Sequence, residues 1–378
     1  MKIAFCLFNY FPYGGLQRDF VRIARLCQDR GHSIHVFTMH WEGEKPAGFA
    51  VETVHAPGFT NHRRSMVFSE KVSEYTKKDS FDVVVGFNKM KGLDIYYAAD
   101  PCFQARAVSG GGQLYRLGNR YRIYQELEEA VFSPSSSTHI LLISHAEREK
   151  FIRHYHTPEA RFHNLPPGIS RDRIPAWDTE TVRRNVRSEL GVSDDTSLLL
   201  MVGSGFRTKG LDRSIRAIAG LPHTLRENAR LYIIGHGKAG PFKRLAKRLK
   251  VSRHVYFMGV RDDVPRFLTG ADILLHPAYS ENTGTVLLEA MASGLPVLAT
   301  DICGYAFHVR DAEAGLLIPT PFQQKTYNEL LADMIKSPER QRWKENGPDY
   351  TSRTDIYSLP EKAADIIESV GKEKGKND

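Results

Sequence analysis

Residues 273–299 read ILLHPAYSENTGTVLLEAMASGLPVLA, and this pattern predicts one strand–helix–strand unit. Residues 273–276 are a short apolar run of strand length. Gly284 opens a helix that runs to Ser293 and stops at Gly294, ahead of Pro296, because glycine suits the position past a helix end and proline cannot continue a helix. A second apolar run follows at 296–299. Two strands joined by a helical crossover lie parallel in one sheet, so this unit predicts an α/β domain.

The same alternation extends in both directions. Upstream in the second half it predicts strands at 198–202, 230–234 and 255–258; in the first half it predicts them at 2–7, 33–38, 83–86, 95–98 and 140–143. The clearest helix is 16–30, where Phe20, Ile23, Ala24 and Cys27 recur at i, i+3, i+4, i+7 and Gly31 stands in the C′ position. Between the halves, Leu165-Pro166-Pro167-Gly168 can extend neither a helix nor a central strand, which places a hinge there. A chain of 378 residues exceeds what one core usually supports. The expectation is two α/β domains, 1–168 and 169–354, with a late helical pattern at about 355–372 crossing back onto the first.

Apolar residues at 41% and charged residues at 25% fit a globular chain and exclude a disordered or fibrous one. A formal charge of +8 favours an anionic partner: nucleic acid, a phosphorylated substrate or the acidic face of a membrane. No RRM, KH, helix-turn-helix or zinc-finger signature is present, so nucleic acid is not the expected partner. Cys6, Cys27, Cys102 and Cys303 form no CxxC pair, which argues against a zinc ribbon, redox dithiol or disulfide framework and for an intracellular, cytoplasmic chain. The apolar start is interrupted by Asn9, Tyr10 and Pro12 and reads as a buried strand instead of a signal peptide. No window approaches the roughly 20 apolar residues of a membrane span, so any membrane association is expected to be peripheral.

Three constellations can carry chemistry. Gly14-Gly15 lies between the first strand and first helix, where bare backbone N–H groups can meet a phosphate; a tight turn is the alternative. The segment 203–210, Gly203-Ser204-Gly205-Phe206-Arg207-Thr208-Lys209-Gly210, again joins a strand to a helix and adds two cations able to offset a diphosphate. It lacks the Walker A spacing, and a solvated basic turn is its bland reading. The third is Glu281-Asn282-Thr283-Gly284-Thr285-Val286 with Glu289, two acids seven residues apart. Glu281 falls in the loop and Glu289 more than one turn into the helix. Each carboxylate can accept from two vicinal hydroxyls, and the amides near Gly284 can hold a phosphate. The alternative is a surface glutamate and an acid favoured by the helix dipole.

This E-x7-E arrangement, with Gly294-Leu295-Pro296-Val297, the Gly14-Gly15-Leu16-Gln17-Arg18 loop and the Lys209-Gly210 turn, resembles the GT-B glycosyltransferases of family 4. The segments 11–20, 86–90, 165–169, 276–279 and 357–360 resemble those of members that build the lipopolysaccharide core, so the likeness covers nearly the whole chain. It implies two Rossmann-like, doubly wound domains facing across a cleft. It also implies retaining transfer of a hexose from a UDP-sugar, UDP-glucose favoured over UDP-galactose or UDP-N-acetylgalactosamine, to an inner-core heptose of a lipid-A-linked oligosaccharide in a Gram-negative inner membrane. Residue by residue, Glu289 would hold the ribose and Glu281 the transferred sugar. Gly284 with Asn282, Thr283, Thr285 and Val286 would meet phosphate and hexose. Gly14, Gly15, Gly203, Arg207 and Lys209 would offset the diphosphate, with Arg173 and Arg261 as further candidates. Ser204 stands where many members carry an arginine, which passes that task to Arg207.

The chain has no DxD motif, and Asp194-Asp195 and Asp262-Asp263 read as solvent-facing acids, so no divalent cation is expected and no resident cofactor either; the UDP-sugar is a co-substrate. His154-Tyr155-His156 has no clustered third ligand. The family expectation is a same-face mechanism in which the leaving phosphate takes the acceptor's proton. Glu281, Asp100 and Asp19 are the catalytic candidates, the aspartates orienting the acceptor hydroxyl; for Asp19 a cap or turn role is the favoured alternative. Residues 103–125 combine Arg106, Arg116, Arg120 and Arg122 with leucines and tyrosines and contain no acid, a mixture suited to the anionic inner-membrane surface or, alternatively, to packing within its own domain. A UDP-sugar epimerase and a silent sugar-nucleotide sensor are the rival readings of the same motifs.

Overall fold

The computed structural model describes residues 1–12, 14–110, 113–173 and 178–377; Tyr13, Gly111 and Gly112, which fall within the glycine-loop and basic-aromatic expectations, lie outside these. The chain divides into two compact units, Met1–Gly168 with Ser358–Asp378, and Ile169–Tyr357.

The first unit carries β1 (Lys2–Tyr10), β2 (Ser33–Trp41), β3 (Phe49–Thr53), β4 (Val83–Gly86), β5 (Ile95–Ala98), β6 (His139–Leu142) and β7 (Phe162–Asn164). They form one sheet in the order β3-β2-β1-β4-β5-β6-β7, with every pairing parallel. A parallel sheet is covered on both faces, which is why its central strands are continuously apolar. In β1, Ile3, Phe5 and Leu7 pack into one core cluster, and Ala4 and Cys6 into another on the opposite face.

The helices between these strands, among the described residues, are α1 (Gly15–Asp29), α2 (Asn61–Lys78), α3 (Phe103–Gly110), α4 (Gln113–Arg116), α5 (Asn119–Phe132) and α6 (His145–Tyr155). Helix α1 buries the expected stripe of Phe20, Ile23, Ala24 and Cys27. It ends as expected at Gly31, whose φ is 86°. There the Gly31 N–H donates to Gln28 O at 2.8 Å and the His32 N–H to Cys27 O at 3.1 Å, closing the helix on its own last carbonyls. The closing helix starts at Leu359 and runs to Asn377, later than expected, because Pro360 is compatible only with a helix's first turn. Its Ala363, Ala364, Ile367 and Val370 join the β1 and α1 core, and Arg30 pairs with Asp365 at 2.9 Å and Glu368 at 3.2 Å.

The second unit holds β8 (Ser197–Val202), β9 (Ala229–Ile234), β10 (Val255–Gly259), β11 (Ile273–His276), β12 (Val297–Thr300) and β13 (Gly315–Ile318), in the order β10-β9-β8-β11-β12-β13, all parallel. The opening stretch is thus β11, a helix Thr285–Ala292, and β12. Both sheets reverse their winding direction once, between β1 and β4 and between β8 and β11. Loops leaving neighbouring strands at such a reversal diverge to opposite faces, and the gap outside their C-terminal ends is where doubly wound sheets bind ligands.

Candidate functional site

In the second unit the reversal point brings together the loops that follow β8 and β11. After β8, the chain turns through Gly203 at φ 145° and Gly205 at φ 75°, backbone states that side chains disfavour. Their N–H groups are spent on Ile234 O at 2.9 Å and His236 O at 3.0 Å. The Tyr279 N–H donates to Thr208 O at 2.8 Å, tying the β11 loop to the β8 loop. Gly210, at φ 76°, lies so close that a Cβ there would meet the Pro277 carbonyl oxygen at 2.0 Å. Buried Arg213 braces the same turn: its Nη1 donates to Pro277 O at 3.1 Å and Ala278 O at 3.0 Å, with the guanidinium between the rings of Tyr279 and Phe322. Gly210→Ala is therefore expected to cost roughly 2–4 kcal/mol through left-handed strain and the backbone clash. Thermal unfolding would show a lowered midpoint, and the surviving protein a raised donor KM.

Between these loops sits a charged cluster. Lys209 Nζ pairs with Glu281 Oε2, and His276 Nε2 donates to the same oxygen at 3.1 Å. Burial raises the Glu281 carboxyl, but the His276 hydrogen bond and the Lys209 charge outweigh it and hold the group down at about 2. Glu281 is therefore anionic throughout the neutral range, and the stability it lends is lost only as the pH falls from the ordinary carboxylate value through about 2. His276 was not anticipated. It is the last residue of β11, fully enclosed, and its Nδ1 has no hydrogen-bond partner among the described residues. A bare acceptor is tolerated there better than a bare donor, which favours the proton on Nε2, facing Glu281.

Gly284 caps the helix Thr285–Ala292 at φ 91° with no side chain bonded to its first turn, so the Thr285 and Val286 amides at its start have no partner within the helix. Glu289 is buried in that helix, 7% exposed. Half-buried Asn282 and Thr283 precede the cap, and the loop is held from behind by the Gly304 N–H on Glu281 O at 3.3 Å and the Tyr305 N–H on Thr283 O at 2.8 Å. Arg207 is exposed on the same β8 loop that carries Lys209.

The remaining expected residues lie elsewhere. Arg261 spends its fork on Asp263, at 2.7 and 2.8 Å, with Glu189 at 3.5 Å, and so braces the turn after β10. This corrects the reading of Asp263 as solvent-facing: the bonds from Arg261 and Arg266 hold the half-buried carboxyl down at about 2. Arg173 is half-buried in a short turn after Ser170 and shares no hydrogen bond with the Glu281 cluster among the described residues.

In the first unit, Gly14 caps α1 with no side-chain bond, and a Cβ on Gly15 would meet nothing within 4 Å. Asp100 is exposed, two residues beyond the end of β5. Asp19 is not a cap: it sits inside α1, where the Tyr97 hydroxyl donates to its Oδ2 at 2.8 Å. Burial pushes its carboxyl up to about 6, against the pull of Tyr97, Arg22 and Arg18. Because the folded value is raised, the anion costs stability as the pH climbs through about 6. Asp19→Asn is thus expected to raise the melting temperature at pH 8 relative to wild type and, if Asp19 orients the acceptor, to remove an acid limb near pH 6 from the rate profile.

Among the described residues no group of three His, Cys, Asp or Glu could hold a metal ion, and no helix is long and apolar enough to cross a membrane.

Two doubly wound parallel domains, with a basic glycine loop, an E-x7-E helix entry and a carboxylate held by lysine and histidine at the reversal point, define a GT-B glycosyltransferase. Residues 13–173 match the family model described as Glycosyltransferase Family 4 and residues 182–350 that described as Glycosyl transferases group 1, and the chain belongs to this family of enzymes. It is 46% identical over 97% of its length to the lipopolysaccharide glucosyltransferase WaaG of Escherichia coli (strain K12), covering 98% of that protein. A crystal structure of WaaG, a glycosyltransferase involved in lipopolysaccharide biosynthesis, superposes with a TM-score of 0.92 at 45% identity, covering 97% of this chain and 99% of the other. An Anabaena protein, HepE, solved with UDP and glucose, shares the fold at a TM-score of 0.73 and 18% identity, covering 98% and 100%.

Proposed function

We propose that the chain transfers a glucosyl residue from UDP-glucose, with retention, to an inner-core heptose of lipopolysaccharide, working without a divalent cation at the anionic cytoplasmic face of a Gram-negative inner membrane. The observation that carries this is end-to-end similarity to a lipopolysaccharide glucosyltransferase, together with a charge cluster suited to a sugar nucleotide.

In this reading Glu289 accepts from the ribose hydroxyls. Lys209 has three N–H donors, so while one faces Glu281 the others can reach the diphosphate, joined by Arg207 and by the amides at Gly284–Val286. These fixed donors supply the charge stabilisation a cation would otherwise bring. Glu281 accepts from hexose hydroxyls, and Asn282 and Thr283 beside it set which hexose fits. As the bond from the anomeric carbon to the β-phosphate oxygen breaks, the acceptor hydroxyl attacks from the same face. Its proton passes to the departing phosphate oxygen, leaving UDP and a retained glycoside. Asp100 or Asp19 orients that hydroxyl. The exposed arginines and leucines at 103–125 hold the enzyme to the membrane carrying the acceptor.

The test is to incubate the protein with UDP-glucose, UDP-galactose and UDP-N-acetylgalactosamine against heptose-terminated truncated lipopolysaccharide, in excess EDTA, and weigh the products. A gain of one hexose from UDP-glucose alone is expected. Conversion of a UDP-sugar without acceptor, or loss of transfer on chelation, would contradict the proposal.

A further inference from the structure

The loop that leads into α2 presents Phe59 fully to solvent, with a relative exposure of 107%, so its whole ring is available to another surface. Arg63 and Arg64 follow it on the first turn of α2, and the run 54–69 contains no acid. Among the described residues no carboxylate lies within ion-pairing distance of either arginine. The tip does not stand alone. Helix α2 packs against α5, and the His62 ring meets the Tyr124 ring edge-on at 6.3 Å. Through α5, helix α2 is thereby braced against the same segment in which Leu114 is 85% and Leu117 68% exposed. Because every strand of this sheet is parallel, the connections β3–α2 and β5–α3 leave the same C-terminal edge as Gly14 and Asp100.

We propose that residues 59–64 form a second contact for an anionic lipid surface, so that the first unit sits on the membrane at two points instead of one and presents its acceptor edge to the headgroups. The proposal rests on the reading of the acceptor as a membrane-borne glycolipid. A phenylalanine at headgroup depth flanked by arginines on phosphates is the composition that binds such a surface, and two separated contacts fix orientation where one allows rotation.

The experiment is co-sedimentation of the full chain with vesicles of phosphatidylcholine containing phosphatidylglycerol, comparing wild type with Phe59→Ser, Arg63→Ser with Arg64→Ser, and Leu114→Ser with Leu117→Ser. The paired arginine variant is expected to lower the partition coefficient roughly 25-fold, about fivefold per charge. Phe59→Ser should lower it several-fold, and both should keep wild-type turnover on a delipidated core oligosaccharide while losing it on vesicle-borne acceptor. Unchanged partitioning of both 59–64 variants, with binding lost in the leucine variant, overturns this proposal alone. Failure of the wild type to bind vesicles overturns it together with the membrane reading. Loss of turnover on the delipidated acceptor overturns it by assigning the loop to the sugar site.

Discussion

Glu281→Gln is expected to lower kcat about a thousandfold while changing the affinity for UDP less than threefold. The carboxylate lies in the loop before Gly284 and Glu289 in the helix after it, so the ribose contact survives when Glu281 is neutralised, and Lys209, freed of its partner, keeps its charge for the diphosphate. What disappears is the acceptor for hexose hydroxyls and the counter-charge that holds Lys209 and His276 in place. Interactions that position the reacting sugar and stabilise developing charge are worth up to about 4 kcal/mol in a pre-organised site, and that upper value is the thousandfold factor. Burst kinetics with UDP-glucose and a UDP titration by calorimetry separate the two effects. A variant with near-normal kcat would remove Glu281 from the site. A variant that also lost UDP affinity by tenfold or more would show that the carboxylate supports the loop and not the sugar.

Glu289→Ala is expected to do the reverse, weakening UDP roughly 10- to 100-fold, because two hydrogen bonds to a buried carboxylate are each worth about 1.5–3 kcal/mol and part of that is recovered by water entering the gap. Turnover at saturating donor should fall much less, since the ribose lies away from the bond being broken. Glu289 is enclosed within the helix Thr285–Ala292 beside Leu288 and Ala290, so its removal also leaves a small cavity. Glu289→Gln separates the two contributions: it keeps the volume and should still lose most of the affinity. Equal UDP affinity in wild type and both variants would exclude the ribose assignment.

The parts of the fold legible in the sequence are those with a physical reason to be so. Strands β4, β5 and β11 have the expected bounds because their residues are buried on both faces and must be apolar throughout. Strands β3 and β7 escaped notice because edge strands need bury less: β3 reads FAVET with a single buried residue, and β7 is three residues long with none. Strand β13 was hidden by its edge position, where three of its four residues are only half-buried, and by Gly315, whose backbone approaches Val297 too closely for any side chain. In the site, the glycine loop and the E-x7-E spacing were readable since a loop followed by a helix start fixes where both acids go. His276 and Arg213 were not, because their roles depend on which strand end and which carbonyls tertiary packing brings beside them. The one signal for His276 was its place immediately before Pro277 at the end of an apolar strand, five residues ahead of Glu281. Asp263 was misread for a related reason: its partners Arg261 and Arg266 stand close in sequence, but only the turn after β10 folds both guanidinium groups onto it.

In the proposed function the diphosphate of the donor is met by lysine, arginine and backbone amides at the β8–β11 reversal point and by no cation. Crystals of the chain soaked with UDP-glucose in the presence of EDTA test it directly. The expected density places the β-phosphate within hydrogen-bonding reach of Lys209 Nζ and the Gly284–Val286 amides, the ribose on Glu289 and the hexose on Glu281. A nucleotide bound away from this loop pair, or one seen only after a divalent cation is restored, would contradict it.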